Sequence, residues 1–256
     1  MQIVFLLLYV VTIIVGLFFF RVLRRRDKAL LGEIINMVHQ LRAPLSGVKW
    51  TLKILLDGDA GENSEAGREL LVKGFAANER MIALVNDMLA VARLESGTFE
   101  YRFVPVQFEK LIEETIAGFT PAVEAKDIRL EFVTQTKPLP KWNMDPEKMR
   151  NVLQNLLDNA IKYVRKGGTI TVEAEIKNGA LHIVVKDDGM GIPDDAQEKI
   201  FTRFFRAANA MAAETNGSGL GLFIARNIVL AHNGKIWFES VPGKGTAFHI
   251  LLPERS

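Results

Sequence analysis

The chain has 256 residues, with 32 Lys and Arg against 30 Asp and Glu, a formal net charge of +2 and no cysteine. Disulfides and thiolate metal sites are therefore excluded, and so even a charge balance gives no basis for nucleic-acid binding. Much of the small positive excess sits in one place, at Arg21, Arg24, Arg25, Arg26 and Lys28.

Residues 1–20 carry no charged side chain. A helix that crosses a bilayer core takes about 20 residues, so this segment is predicted to be a single transmembrane helix. A cleaved leader fits less well, because the apolar run starts without a positive region and ends at Phe18, Phe19, Phe20 and Arg21 rather than at small residues. The basic cluster that follows places the C-terminal side in the cytoplasm and can meet anionic lipid head groups. The expected location is thus the cell membrane, single-pass, with the remaining chain cytoplasmic and membrane lipid as a partner of the N-terminal helix.

Roughly 230 residues follow, enough for one or two compact domains. From Asp27 to Glu95 the pattern is helical. Leu31, Ile34, Val38, Leu41, Leu45, Val48, Leu52 and Leu55 recur at alternating spacings of three and four, the seam of a coiled coil or four-helix bundle. A polar break at Asp57-Gly-Asp-Ala-Gly-Glu-Asn-Ser64 interrupts it. Leu71, Phe75, Ile82, Val85, Leu89 and Ala92 then repeat the seam, with Asn78 in the one polar position. Two such helices make an antiparallel hairpin. A lone hairpin leaves its apolar seam uncovered, so two chains are expected to pair as a homodimeric four-helix bundle.

From about Glu100 the period changes, and Gly97 marks the expected junction. Val106 to Lys126 reads as a helix, Ile128 to Val133 as a strand, and Asp145-Pro-Glu as an N-cap and first turn of a helix running to Tyr163. Residues 169–176 and 180–187 alternate with period two around a Lys177-Asn-Gly turn. A helix over 219–231 and two last strands near 235–240 and 246–252 complete an α+β domain.

Four polar features stand out along this pattern. His39 follows the seam residue Val38, so it borders the core of the bundle while its ring can face solvent; Pro44, five residues on, bends the helix and leaves the Gln40 carbonyl without its usual donor. Asn155, Asn159 and Lys162 share one helix face. Asn carbonyls suit a hard cation such as Mg²⁺, and a lysine suits phosphate. Asp187 closes a strand and runs into Asp-Gly-Met-Gly191, where a carboxylate can accept from an exocyclic amine such as that of adenine. Asn216-Gly-Ser-Gly-Leu-Gly-Leu222 leads into a helix, and glycine turns at a helix start bind phosphate. This run departs from both the dinucleotide and the P-loop patterns. The small residues 207–215 between the two glycine clusters read as a mobile lid or an idle surface loop.

Together these segments resemble the bacterial sensor histidine kinases, which join a dimerisation and histidine-phosphotransfer domain to an ATPase domain of the gyrase, Hsp90, kinase and MutL class. His39-Gln-Leu-Arg-Ala-Pro-Leu45 is similar to the H-box, Asn155-Leu-Leu-Asp-Asn-Ala-Ile-Lys-Tyr163 to the N-box and Asp187-Asp-Gly-Met-Gly191 to the first glycine box. Phe201-Thr-Arg-Phe-Phe-Arg206 is similar to the F-box and Gly217-Ser-Gly-Leu-Gly221 to the second glycine box. The resemblance spans about Asp27 to Leu252. It implies a multidomain fold: a transmembrane helix over 1–20, a juxtamembrane segment and helical hairpin over 21–96 forming a dimeric four-helix bundle, and an α+β sandwich ATP-binding domain over 97–256. It implies ATP and Mg²⁺ as cofactors and a response regulator with an acceptor aspartate as partner. By the same resemblance His39 is the phospho-acceptor, aided by Gln40 and Lys162. Asn155 is the Mg²⁺ ligand, Asn159 and Lys162 reach the phosphates, Tyr163 packs near the base and Asp187 reads adenine. Gly189, Gly191, Gly217, Gly219, Leu220 and Gly221 shape the pocket and its lid.

Two positions depart from the family pattern. Most members carry Glu or Asp directly after the phospho-histidine and Thr or Asn three residues further on; here these are Gln40 and Ala43. A neutral imidazole can still attack, so slower transfer and little phosphatase activity are expected. No sensor domain is recognisable ahead of the H-box, which leaves the stimulus open, along with the expectation that the chain is a truncated member. A binding-only scaffold and an ATPase without histidine transfer are the alternatives; the Asn155 and Asp187 set argues against the first, His39 against the second.

Overall fold

In the computed structural model, residues 45–46, 48–50, 52–57, 65–134, 138–214 and 217–254 are described. The expected transmembrane helix, the basic cluster, His39, Gln40, Ala43 and Pro44 lie outside them, as does most of the polar break at 58–64. Among the described residues no helix is long and apolar enough to cross a membrane. The chain divides into two compact units between Phe99 and Glu100.

The first unit is helical. Helical residues within 45–57 form α1, and α2 runs over Glu65–Ser96. The seam pattern is what joins them. Leu45 packs on Val85 and Leu89, Leu52 lies over Gly74, and Lys49 pairs with Glu79 at 2.8 Å. These contacts run in opposite directions along the two helices, as an antiparallel hairpin requires. Asn78, the polar seam residue, is 1% exposed, and its Nδ2 donates to the Leu45 carbonyl at 2.8 Å.

The second unit is α+β. A sheet of five strands has the order β2 (Arg129–Thr134), β4 (Thr169–Lys177), β5 (Ala180–Asp187), β7 (Gly245–Pro253), β6 (Lys235–Val241), with β1 (Val104–Gln107) and β3 (Lys141–Met144) forming a separate ribbon. The β2–β4 pair is parallel and the others antiparallel. Strand alternation sets the layering. Ile170, Val172, Leu181, Ile183, Phe248 and Ile250 point to one face and are buried there. Against that face lie α5 (Pro146–Tyr163) and α8 (Gly221–Ala231), with α3 (Phe108–Ala117) packed on α5.

Two expectations need correction. The helix expected over 106–126 is in fact β1 (Val104–Gln107), α3 and α4 (Thr120–Ala125), broken at Gly118-Phe119. Pro105 removes only an N–H on the two-stranded ribbon, where β1 pairs β3 (Lys141–Met144) antiparallel, Val104 opposite Met144. That ribbon was not legible because four-residue strands carry too little alternation to register. Residues 208–213, read as part of a loop, form a short helix, α7 (Ala208–Ala213), after a further short helix, α6 (Asp194–Gln197).

Candidate active site

Helix α5 carries the polar residues that the sequence singles out, and its ends explain its position. Asp145 caps the start, its Oδ1 accepting from Lys148 N at 3.0 Å. Its Oδ2 accepts from Arg102 N at 2.7 Å, and its own N–H donates to His232 Nε2 at 3.0 Å. Met149, Val152, Leu153, Leu156, Leu157, Ala160 and Ile161 are buried. Asn155, Asn159, Lys162 and Tyr163 fall outside that stripe and are half-buried. Lys162 is not an unattached cation: its Nζ pairs with Asp158 one turn back.

The start of α8 closes on Asn155. A methyl group at Gly221 would come within 2.6 Å of Asn155 Oδ1. Glycine is thus what lets the asparagine amide lie against the first turn of α8, where N–H groups lack partners within the helix. The preceding loop is turned by Gly219, at φ 68°. Ser218 Oγ accepts from Leu220 N at 3.2 Å. The Leu220 side chain is fully buried, so whatever this residue offers a ligand comes from its backbone. Gly217 lies exposed, beside the Arg206 guanidinium.

Asp187 ends β5 and is 8% exposed. Its Oδ1 accepts from Gly189 N at 2.9 Å. Burial pushes the carboxyl up to about 6, against the pull of N–H groups from Gly189 and Thr246, and neighbouring Asp188 adds to the rise. The turn after it is tightly held. Met190 N donates to Tyr163 O at 3.3 Å, and a methyl group at Gly189 would sit 2.6 Å from that same oxygen. Gly191 has φ 66°, and its carbonyl accepts from Asn209 Nδ2 at 3.0 Å, which ties α7 to the turn. Arg206 holds the other side of α7, donating to the carbonyls of Ala210 and Glu214.

The structure therefore brings Asn155 and Gly221 together, and links Tyr163 to Asp187 through Met190 and Gly189. It gives no geometry for His39 or Gln40. Several participants were not read from the sequence: His232 and Arg102 on the Asp145 cap, Asp188, whose Oδ1 accepts from Thr169 N at 3.0 Å, and Gly245, where a methyl group would fall 2.0 Å from Asp187 O. The Gly243-Lys-Gly245 turn between two strands was the available signal for the last. A histidine near a helix end carried none.

A mixed sheet layered on α5 and α8, a buried strand-end carboxylate and a glycine turn opening a helix against an asparagine define an α+β ATPase-type domain preceded by a helical hairpin. Known proteins agree. The family model for histidine kinase-, DNA gyrase B- and HSP90-like ATPases matches residues 144–256, and that for the His kinase A phospho-acceptor domain matches 32–97. The sensor histidine kinase WalK of Bacillus subtilis (strain 168) is 34% identical over 223 residues, 86% of this chain and 36% of that protein. The adaptive-response sensory kinase SasA of Synechococcus sp. (strain JA-3-3Ab) is 35% identical over 239 residues, 90% of this chain and 63% of its own length. The chain thus spans less than two thirds of either relative. The catalytic domain of the histidine kinase ThkA, nucleotide-free, is 31% identical with a TM-score of 0.53, covering 60% of this chain and 96% of that one. Full-length ShkA in complex with AMPPNP has a TM-score of 0.73 at 26% identity, covering 88% of this chain and 46% of the other. The chain belongs to the sensor histidine kinases.

Proposed function

We propose that this protein is an ATP-dependent protein-histidine kinase that phosphorylates its own His39 and passes the group to an aspartate of a response regulator. The observation that carries this reading is the Asn155–Gly221 contact, together with the buried Asp187 turn, in a family member with a histidine in the H-box. ShkA, a relative, is known with AMPPNP bound.

In this reading Asp187 accepts from the adenine amine, Tyr163 lies near the base, and Asn159 and Lys162 meet the phosphates. Lys162 must then exchange its bond to Asp158 for phosphate oxygen. Gly189 and Gly191 shape the adenine side. Gly217, Gly219 and Gly221 offer backbone N–H groups at the start of α8, and Leu220 does so on exchanging its bond to Ser218 Oγ for phosphate oxygen. Among the described residues no three His, Asp or Glu side chains are grouped to hold a metal. The donor set fits a cation that arrives with the nucleotide, held by Asn155 Oδ1, phosphate oxygens and water. Such a Mg²⁺ would offset the charge developing on the phosphates.

The chemical step is an in-line displacement. A neutral imidazole nitrogen of His39 forms a bond to the γ-phosphorus, the bond from that phosphorus to the ADP oxygen breaks, and the ring proton passes to solvent. Positioning carries most of the rate. Gln40 can orient the ring through a hydrogen bond but takes no proton. A second chain completes the bundle: α2 presents Met81, Leu84 and Met88, at 47%, 36% and 36% exposure, as a stripe that α1 leaves open. The segment 1–20 anchors the protein in the membrane, with the catalytic units on the cytoplasmic side. The domains run over 1–20, 21–96 and 97–256.

Incubation of the protein with γ-labelled ATP and Mg²⁺ tests the reading. Acid-labile label should appear on the chain and move to a purified receiver domain on mixing. ATP turnover with no label retained on protein would favour an ATPase without histidine transfer.

A further inference from the structure

The last four carbonyls of an α-helix have no partner inside it, and in α5 each of the four finds one. Val164 N donates to Ala160 O at 2.9 Å, and Met190 N to Tyr163 O at 3.3 Å. The two between them are served by a single side chain: Lys126 Nζ donates to Ile161 O at 2.7 Å and to Lys162 O at 3.0 Å. A cation at this end also meets the negative pole of the helix dipole.

Lys126 is itself fixed. It ends α4, and the next residue, Asp127, turns the chain at φ 56°. The Lys126 carbonyl accepts from Gly167 N at 3.1 Å, and Arg129 N donates to Gly168 O at 2.9 Å, where β2 begins its parallel pairing with β4. The turn before β2 and the turn after α5 are therefore clasped, with the ammonium reaching from one to the helix end beside the other.

That helix end is also one wall of the candidate site. Lys162 and Tyr163 belong to its last turn. The Tyr163 carbonyl holds Met190, and Gly189 packs against the same oxygen while donating to Asp187. Displacement of the last turn would therefore be transmitted to the Asp187 carboxylate through two hydrogen bonds.

We propose that Lys126 is a positioning residue for the nucleotide site: by closing the C-terminal end of α5 it holds Lys162, Tyr163 and the Gly189–Gly191 turn in the arrangement that ATP needs. The inference rests on the proposed ATP site. Removal of the ammonium leaves two carbonyls without a donor, the last turn frays, and nucleotide affinity falls although Lys126 touches no nucleotide.

The test compares full-length wild type, Lys126→Met and Lys126→Arg for AMPPNP–Mg²⁺ affinity at a temperature where all give native far-UV circular dichroism. Lys126→Met should bind at least fivefold more weakly, with faster amide exchange at 162–164 and 189–191. Lys126→Arg, whose guanidinium can still donate to two carbonyls, should stay within twofold of wild type. Binding is reciprocal with the cap, so acylation of Lys126 by N-hydroxysuccinimide acetate in wild type should slow when AMPPNP–Mg²⁺ is added, while Lys177 in the distant hairpin turn reacts unchanged. That labelling decides the matter if Lys126→Met does not fold. Wild-type affinity in a folded Lys126→Met, or Lys126 reactivity indifferent to nucleotide, would overturn the positioning role alone. Failure of wild type to bind AMPPNP would bring down the ATP reading with it.

Discussion

At the scale of single residues, Asp187 carries the sharpest prediction. Its carboxyl titrates at about 6 in the folded protein, against 3.8 for the ordinary group, because burial disfavours the charge. Between those two values the folded state binds more protons than the unfolded state, so stability falls as pH rises through this window. A gap of this size is on the order of 3 kcal/mol. Asp187→Asn keeps the acceptor for Gly189 N but cannot ionise. Thermal melts of nucleotide-free protein should thus show the variant gaining on wild type from pH 4 to pH 7, with the curves converging at the acid end. A difference that does not vary with pH would contradict the assignment. The same variant should lose affinity for ATP, and wild type should prefer ATP to GTP, because guanine places a carbonyl where adenine has its amine and an unmade buried pair costs about 1–3 kcal/mol. Asp187 was legible from its place at a strand end before Gly-Met-Gly. Gly189, its hydrogen-bond donor, was legible in the same motif, but the residues that brace the site from further away were not. Lys126, His232 and Gly245 act through backbone groups that only the folded chain brings near, and side-chain chemistry in sequence gives no sign of such pairings.

Among the elements, α5 is positioned at both ends by residues distant in sequence. At its start the Asp145 N–H must donate to His232 Nε2, which fixes the proton on Nδ1, and that nitrogen donates to Ile228 O at 2.8 Å. Tyr101 and Phe103 meet the same ring edge-on, at centroid separations of 5.8 and 4.8 Å. Burial, with the Asp145 charge adding to it, pushes the Tyr101 hydroxyl up to about 12. The histidine thus joins the end of α8, the start of α5 and the segment that enters the second unit. His232→Leu leaves the Asp145 N–H without an acceptor and should cost about 1–3 kcal/mol, read as a lower urea midpoint with an unchanged slope. A midpoint equal to wild type would show that the bond contributes nothing. The elements themselves were readable where period and caps agreed: α5 from Asp145-Pro146, β4 and β5 from strict alternation around Asn178-Gly179, and the hairpin from its seam. They were misread where local cues conflicted. Pro105 and Pro121 flank a segment whose apolar spacing suits a helix, yet Gly118 interrupts it and the ribbon needs Val104–Gln107 extended.

For the molecule as a whole, α2 has one face buried against α1 and one left exposed, and the proposed pairing of two chains uses the second. Leu52 lies inside the hairpin over Gly74, and Val85 and Leu89 are buried against Leu45. Met81, Leu84 and Met88 stay exposed in a single chain. Replacing Leu52 with aspartate should therefore unfold the helical unit, as core truncations of several kcal/mol do. Leu84→Glu with Met88→Glu should instead leave helicity intact and yield monomers. Sedimentation of wild type in detergent at micromolar concentration should give a dimer of the chain; a monomer, or a double variant that still dimerises, would contradict pairing through this stripe. The hairpin from Leu45 onward and its part of the seam were legible in the sequence, whereas Leu31, Ile34, Val38 and Leu41 lie outside the described residues; the side of the helix left open was not legible, since a period of three and four marks both the face buried within a chain and a face buried between chains.

Histidine phosphorylation is tested most directly by incubating wild type and His39→Gln side by side with γ-labelled ATP and Mg²⁺, and following label on the protein before and after acid. Wild type should acquire label that acid removes and alkali spares. His39→Gln should acquire none while still binding AMPPNP. Equal labelling of the two proteins, or acid-stable label on wild type, would contradict the assignment of His39 as the phospho-acceptor.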